Sequence, residues 1–263
     1  VITPGVCSVT LRSMSIDEVA ALAAECGLGA IEWGADVHVR PGDDAAVRRA
    51  RAASSEFQVS YGSYLFAAPR EASDHPADRN ELTVATLDTA VQLGAQVVRV
   101  WCPFGVEPGA SRASAVADEL RTIAEAARER ALNLALEFHG GTLTATVAST
   151  IALLDEVNEP NVSTYWQPPY WLPERDPKVD VDDVLALGAR LSNVHVYEWT
   201  HAPQVERRPL DAGRDRWHSV LQAMPPEPRC ALLEFVADDD PDQLRRDART
   251  LIDVLDEIGG MVA

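Results

Sequence analysis

Lysine is almost missing from this chain. Lys178, inside RDPKVD, is the only one among 263 residues. Schiff-base chemistry needs an amine at a strand end, and a lysine in a polar connecting segment argues against it. Cysteine is nearly as sparse. Cys7, Cys26, Cys102 and Cys230 make no CxxC pair, so zinc-finger spacing is absent. A chain of this size needs no disulfide framework, so the expectation is reduced, mostly buried thiols in a cytoplasmic protein. No apolar run approaches the roughly 18 residues of a membrane span. The first residues, VITPGVCSVTLRS, show no basic start followed by an apolar stretch, so no secretory signal is visible. No GxGxxG follows the first strand candidate, which removes the dinucleotide fingerprint. Basic residues are short too: 23 against 41 acidic, for a net charge of −18. With no basic stripe to offset that charge, nucleic acid and anionic membranes are excluded as partners.

Apolar material is plentiful at 46% of residues, enough for a large core. It arrives in eight beats, each a short β-rich run followed by an amphipathic helical stretch. The strand candidates are 6–10, 30–33, 58–64, 97–101, 134–138, 162–166, 193–197 and 231–235. Helical stretches are expected over 15–26, 43–55, 80–93, 113–130, 145–158, 180–190, 214–224 and 241–258. Ser15 with Glu18 three residues later reads as a capping box, Asp240–Pro241 as a helix start, and Gly27 and Gly94 as helix ends. Eight strands alternating with eight helices predict an α/β fold, a closed (β/α)8 TIM barrel. No linker or composition break divides the chain, so residues 1–263 are expected to form one domain.

Barrels of this kind place function at the C-terminal ends of their strands. There the apolar runs are interrupted: LALEF by Glu137, NVHVY by His195 and LLEFV by Glu234, with Gln167 ending TYWQ. A carboxylate inside an apolar run is costly unless paired or bound to a cation. A structural ion pair accounts for one such interruption, whereas three on neighbouring strands point to a common centre. Two glutamates, a histidine and an amide carbonyl suit one divalent metal ion, Mn²⁺ or Mg²⁺ first, with Co²⁺ or Zn²⁺ also tolerated.

At these residues the sequence resembles the xylose-isomerase-like superfamily, specifically its sugar phosphate isomerase/epimerase family. The resemblance runs through AIEWGADVHV, SYGSY, LEFHGGTLT, YWQPP, VHVYEW and RRPLDAG, followed by Trp217. It implies that Glu137, Gln167, His195 and Glu234 hold the metal and that Glu137 and Glu234 carry protons to and from the substrate. Gln167 falls where the family's ketose 3-epimerases have aspartate, and Tyr170 where they have a substrate-contacting histidine. Glu32, His38, His139 and either Arg207 or Arg208 are then expected to contact substrate. Trp101 is expected there as well, in an apolar wall with Trp166, Tyr197 and Trp199. The implied activity is isomerisation or epimerisation of a keto-sugar or polyol-derived substrate by α-proton abstraction through a metal-bound enediolate. A lyase of the same superfamily, inosose dehydratase-like or a 3-oxo-glycoside eliminase, is the alternative because it begins with the same proton. A DNA-cleaving relative would need extra histidines at the ends of strands two to four, and SYLF and VWCP supply none. A non-catalytic sugar-binding barrel would follow if the glutamine left the site unable to hold metal. The expected partners are a small carbohydrate substrate, unphosphorylated by preference, and a second copy of the chain in a homo-oligomer. The polar stretch 69–79 is expected to be a solvated loop, with a mobile lid as the alternative.

Overall fold

The computed structural model describes residues 1–63, 65, 76–106 and 111–261, so Tyr64 and residues 69–75 of the stretch singled out above lie outside the described residues. Eight strands are parallel and close on themselves. They are β1 (Ile2–Cys7), β2 (Ala30–Gly34), β3 (Gln58–Gly62), β4 (Val97–Val100), β5 (Asn133–Glu137), β6 (Val162–Trp166), β7 (Leu191–Val196) and, after a two-stranded hairpin, β10 (Arg229–Leu233). The hairpin is β8 (Glu198–Trp199) paired antiparallel with β9 (Arg207–Arg208). The barrel closes where Ile2 to Val6 of β1 lie beside Arg229 to Leu233 of β10. Eight helices cover it: α1 (Ile16–Glu25), α2 (Asp44–Ala53), α3 (Pro76–Leu93), α4 (Ser111–Arg128), α5 (Val147–Val157), α6 (Pro177–Leu187), α7 (Arg214–Ala223) and α8 (Pro241–Met261). No helix among the described residues is long and apolar enough to cross a membrane.

The helix ends follow local chemistry. Ser15 and Glu18 form the capping box expected of them, and Gly27 and Gly94 take φ of 70° and 79°, where a side chain would be strained. Asp240 Oδ1 accepts from the Asp242 amide at 3.0 Å at the start of α8. Asp176–Pro177 repeats that signal and starts α6 three residues before the expected Asp180. The first strand also departs from expectation. Residues 8–11 leave the sheet as a buried 3₁₀ turn because their side chains serve neighbouring backbone. Ser8 Oγ accepts from the Gly34 amide, and Thr10 Oγ1 from that of Val236, both at 2.8 Å.

Alternate residues of each strand point into the barrel. Ala30, Ala135, Tyr165, Cys230 and Leu232 form an apolar cluster there, with Val97 packed on it. The larger core lies outside the sheet, under the helices, and Trp33, Trp166 and Trp217 belong to it. One step of two residues up β2, β4, β5, β6 and β10 from the inner cluster lie Glu32, Arg99, Glu137, Gln167 and Glu234. The apolar layer is thus the floor of a polar one.

Candidate metal centre

The polar layer is nearly sealed from solvent. Cys7, Glu32 and His195 are 0% exposed, Arg99 and Gln167 1%, and Glu137 and Glu234 2%. The structure therefore brings together the whole expected ligand set. Ligand atoms of Glu137, His195 and Glu234 all lie within 4.8 Å of one another. His195 Nδ1 lies 3.0 Å from Gln167 Oε1 and 3.1 Å from Glu234 Oε2. The Gln167 amide nitrogen donates to Phe138 O at 2.7 Å and to Glu137 Oε1 at 3.3 Å, which turns its carbonyl oxygen towards the histidine.

Sequence reasoning missed Arg99, although VVRVW interrupts an apolar run just as LALEF does. Its guanidinium lies between two carboxylates. Nε and Nη2 each donate to Glu32 Oε1 at 3.1 Å, and Nη1 lies 2.8 Å from Glu137 Oε2. Gly62 makes the space, since a Cβ there would come within 2.5 Å of Arg99 Nη2 and 2.7 Å of Glu32 Oε1. Cys7 was missed as well: its thiol donates to Glu32 Oε1 at 3.3 Å and to Glu234 Oε1 at 3.6 Å. Burial, reinforced by those carboxylates, pushes the thiol well above its ordinary range and keeps it protonated.

Electrostatics of this layer fit a divalent ion. Burial works to raise the Glu32 carboxyl, but Arg99 first and then His195 overcome it and hold the group at about 2. Burial works to lower His195, yet Glu234 and Glu32 outweigh it and raise the imidazole to about 10. With the imidazole protonated, three carboxylates face one guanidinium and one imidazolium; a cation that took the place of one ring proton would meet two net negative charges, the amount a divalent ion cancels. Glu234 Oε2, on the side of the ring where Gln167 also lies, is buried without a hydrogen-bond partner of good geometry, the condition expected of a group arranged for a cation. Glu137, Gln167, His195 and Glu234 are the residues that could hold a divalent metal, and their donor set fits one.

The remaining expected residues divide. Trp101 donates its indole N–H to Glu137 Oε2 and lies 4.5 Å, ring to ring, from His139. From there an arc of rings follows the strand ends: His139 with Trp171 at 5.9 Å, Trp171 with Tyr170 at 5.3 Å, Tyr170 with Trp199 at 4.3 Å, and Trp199 with Phe235 at 5.2 Å. Burial, then Glu137 and Glu234, raise the Tyr170 phenol. Arg207 lies over Trp199 and Phe235 at 5.7 and 5.2 Å and pairs with Asp239. Arg208 is exposed on the hairpin. Trp166 is no part of the wall; it points outward and packs on Trp217 at 6.1 Å. The Tyr197 hydroxyl donates to Pro168 O at 2.7 Å behind the arc. His38 is neither an exposed group nor bonded to the carboxylates. Its two ring nitrogens lie 3.0 Å from Ser8 Oγ and from Met14 O, bracing the turn after β1. Glu32 sits within the polar layer, not at the rim.

Comparison with known proteins agrees with this architecture. A family model described as xylose isomerase-like TIM barrel matches residues 20–257. No curated protein matches the chain in sequence. Among solved structures, the probable 3-DHS dehydratase AsbF of Bacillus anthracis superposes with a TM-score of 0.74 at 17% identity, covering 96% of this chain and 99% of that one. The D-allulose 3-epimerase of Methylomonas sp. in complex with D-allulose gives 0.69 at 21%, covering 96% of each. A xylose isomerase-like TIM barrel protein of Mycobacterium smegmatis in complex with magnesium gives 0.72 at 13%, covering 97% of each.

Proposed function

The chain belongs to the xylose isomerase-like TIM barrel family, and from that membership we propose a divalent-metal-dependent isomerase or epimerase of a keto-sugar or polyol-derived substrate. The observation that carries this reading is the meeting of Glu137, His195 and Glu234, buried side chains from three strands whose ligand atoms lie within 4.8 Å. Gln167 completes the set with its carbonyl, and manganese or magnesium suits so oxygen-rich a group. A bound divalent ion would polarise the substrate carbonyl and offset charge developing on its oxygen.

The chain's own residues supply the proton chemistry. One of Glu137 and Glu234 removes the proton on the carbon next to the carbonyl, and the other returns one to the opposite face or the neighbouring carbon. Their surroundings differ. Glu137 Oε2 is held by Arg99 and Trp101, whereas Glu234 Oε2 faces only His195 among the described residues. The aromatic arc from Trp101 to Phe235 gives the C–H face of a sugar ring a surface to lie on and keeps bulk water from the carboxylates. Arg207 is already paired with Asp239, so the described rim favours an uncharged carbohydrate over a phosphate ester. The Methylomonas epimerase in complex with D-allulose supports a carbohydrate of that kind.

A second reading, a lyase, is favoured by Tyr170. Burial, then Glu137 and Glu234, raise its phenol and keep it protonated, so it could give that proton to a departing oxygen after the same abstraction. The test is elemental analysis of wild type and Glu234→Gln, together with a keto-sugar panel assayed by product mass. One equivalent of manganese or magnesium in wild type, lost in the variant along with a ~10²–10⁴-fold drop in turnover, supports the reading. Product of unchanged mass selects isomerisation, and loss of water selects the lyase. A wild type that takes up no metal from excess Mn²⁺ would overturn it.

A further inference from the structure

Glu32 is fully engaged by protein. Besides the two Arg99 bonds and the Cys7 thiol on Oε1, Ser60 Oγ donates to Oε2 at 3.4 Å, and no part of the side chain meets solvent. A substrate entering from the strand ends has no route to it. What Glu32 does face is the far edge of the histidine ring, with His195 Nε2 3.5 Å from its Oε1. The near edge, Nδ1, faces Gln167 and Glu234.

From this arrangement we infer that Glu32, seated by Arg99, is a positioning residue that holds His195 in the tautomer with its proton on Nε2, leaving the Nδ1 lone pair for the metal. The inference rests on the metal reading above. Its reasoning is that a neutral imidazole ligand carries one proton and offers one lone pair, and the partner of the protonated nitrogen decides which is which. A proton on Nδ1 would leave the Nε2 lone pair against an anionic oxygen. A proton on Nε2 lies instead on the side of that oxygen, 3.5 Å from the nitrogen, and leaves Nδ1 for the other ligands. Arg99 keeps Glu32 anionic and fixed in place, and Gly62 leaves room for both.

A different assignment uses the other side of the ring. Cys7, Glu32 and His195 also place ligand atoms within 4.8 Å. The guanidinium seated on Glu32 would repel a cation there, and the thiol has two carboxylate acceptors for its proton, which disfavours that pocket.

Two measurements decide. In the first, chelator-treated wild type and Glu32→Gln are titrated with Mn²⁺ by calorimetry, with circular dichroism melts to establish folding. The expected outcome is a folded variant whose Mn²⁺ affinity falls by ~10–100-fold, the usual effect of losing a group that orients a ligand. A folded variant within twofold of wild type overturns the inference but leaves the metal reading intact. A wild type that binds no Mn²⁺ overturns both. The second needs no variant. In ¹⁵N-histidine-labelled wild type loaded with Mg²⁺, the His195 resonance, assigned by its loss in His195→Gln, should show Nε2 as the protonated nitrogen. A proton on Nδ1, or a thiolate-to-metal charge-transfer band on loading with Co²⁺, would overturn it.

Discussion

Replacing Arg99 with leucine removes the only guanidinium among the described residues that pairs with Glu32 and Glu137, both of them nearly inaccessible to water. Loss of one partner from a buried ion pair costs about 3–5 kcal/mol, because the charge left behind has neither water nor counter-ion. Arg99 serves two carboxylates, so we expect the upper part of that range, a large share of the ~5–15 kcal/mol that holds a typical domain folded. Adding Glu32→Leu removes the stranded charge and should recover at least half of the loss, since an apolar replacement of a buried pair is often close to neutral. The assay is urea unfolding of wild type, both single variants and the double variant, all treated with chelator. A cation bound at about 100 times its dissociation constant would add ~2.7 kcal/mol and mask the effect. The cycle should give an interaction energy of at least ~2.5 kcal/mol, at or above the top of the roughly 0.5–3 kcal/mol seen for contacting residues. A cost below ~1 kcal/mol for Arg99→Leu, or additive single variants, would refute the account of this layer as an electrostatic unit.

Gly62→Ala puts a methyl 2.5 Å from Arg99 Nη2; it should destabilise by about 1–3 kcal/mol in urea unfolding and weaken Mn²⁺ binding by displacing the pair. Acid should weaken the fold through Glu32. A carboxyl held at about 2 against its ordinary 4.5 contributes stability that is complete above pH 4.5 and is lost as pH falls through 4.5 towards 2. Unfolding measured from pH 5 to pH 3 should accordingly fall more steeply for wild type than for Glu32→Gln, and equal slopes would remove Glu32 as the cause.

Much of the molecule was legible in the chain, because short-range rules govern those parts. Period-two apolar runs, caps such as Ser15 with Glu18 and helix-ending glycines are properties of neighbouring residues, so the eight beats and the barrel could be read directly. Glu137, His195 and Glu234 were legible because an ionisable group in an apolar run is costly and demands a reason. Arg99 carried the same signal in VVRVW, but an arginine is not a cation ligand, and only its two carboxylate partners on other strands give it a role in this layer. Alternation along a strand says that Glu32 and Ala30 share a face, and that Trp166 takes the face opposite Gln167. It does not say how deep in the barrel a side chain ends or which strand it meets. Those depend on closure and register: β1 meeting β10 sets Cys7 beside Glu234, and an imidazole from β7 reaches across to a carboxylate from β2. Composition and pattern thus determined the barrel and which ionisable groups interrupt its strand ends. Only the closed sheet decided that Glu32 braces the histidine from behind and that His38 braces a turn, because contacts between distant strands follow from where each enters the circle.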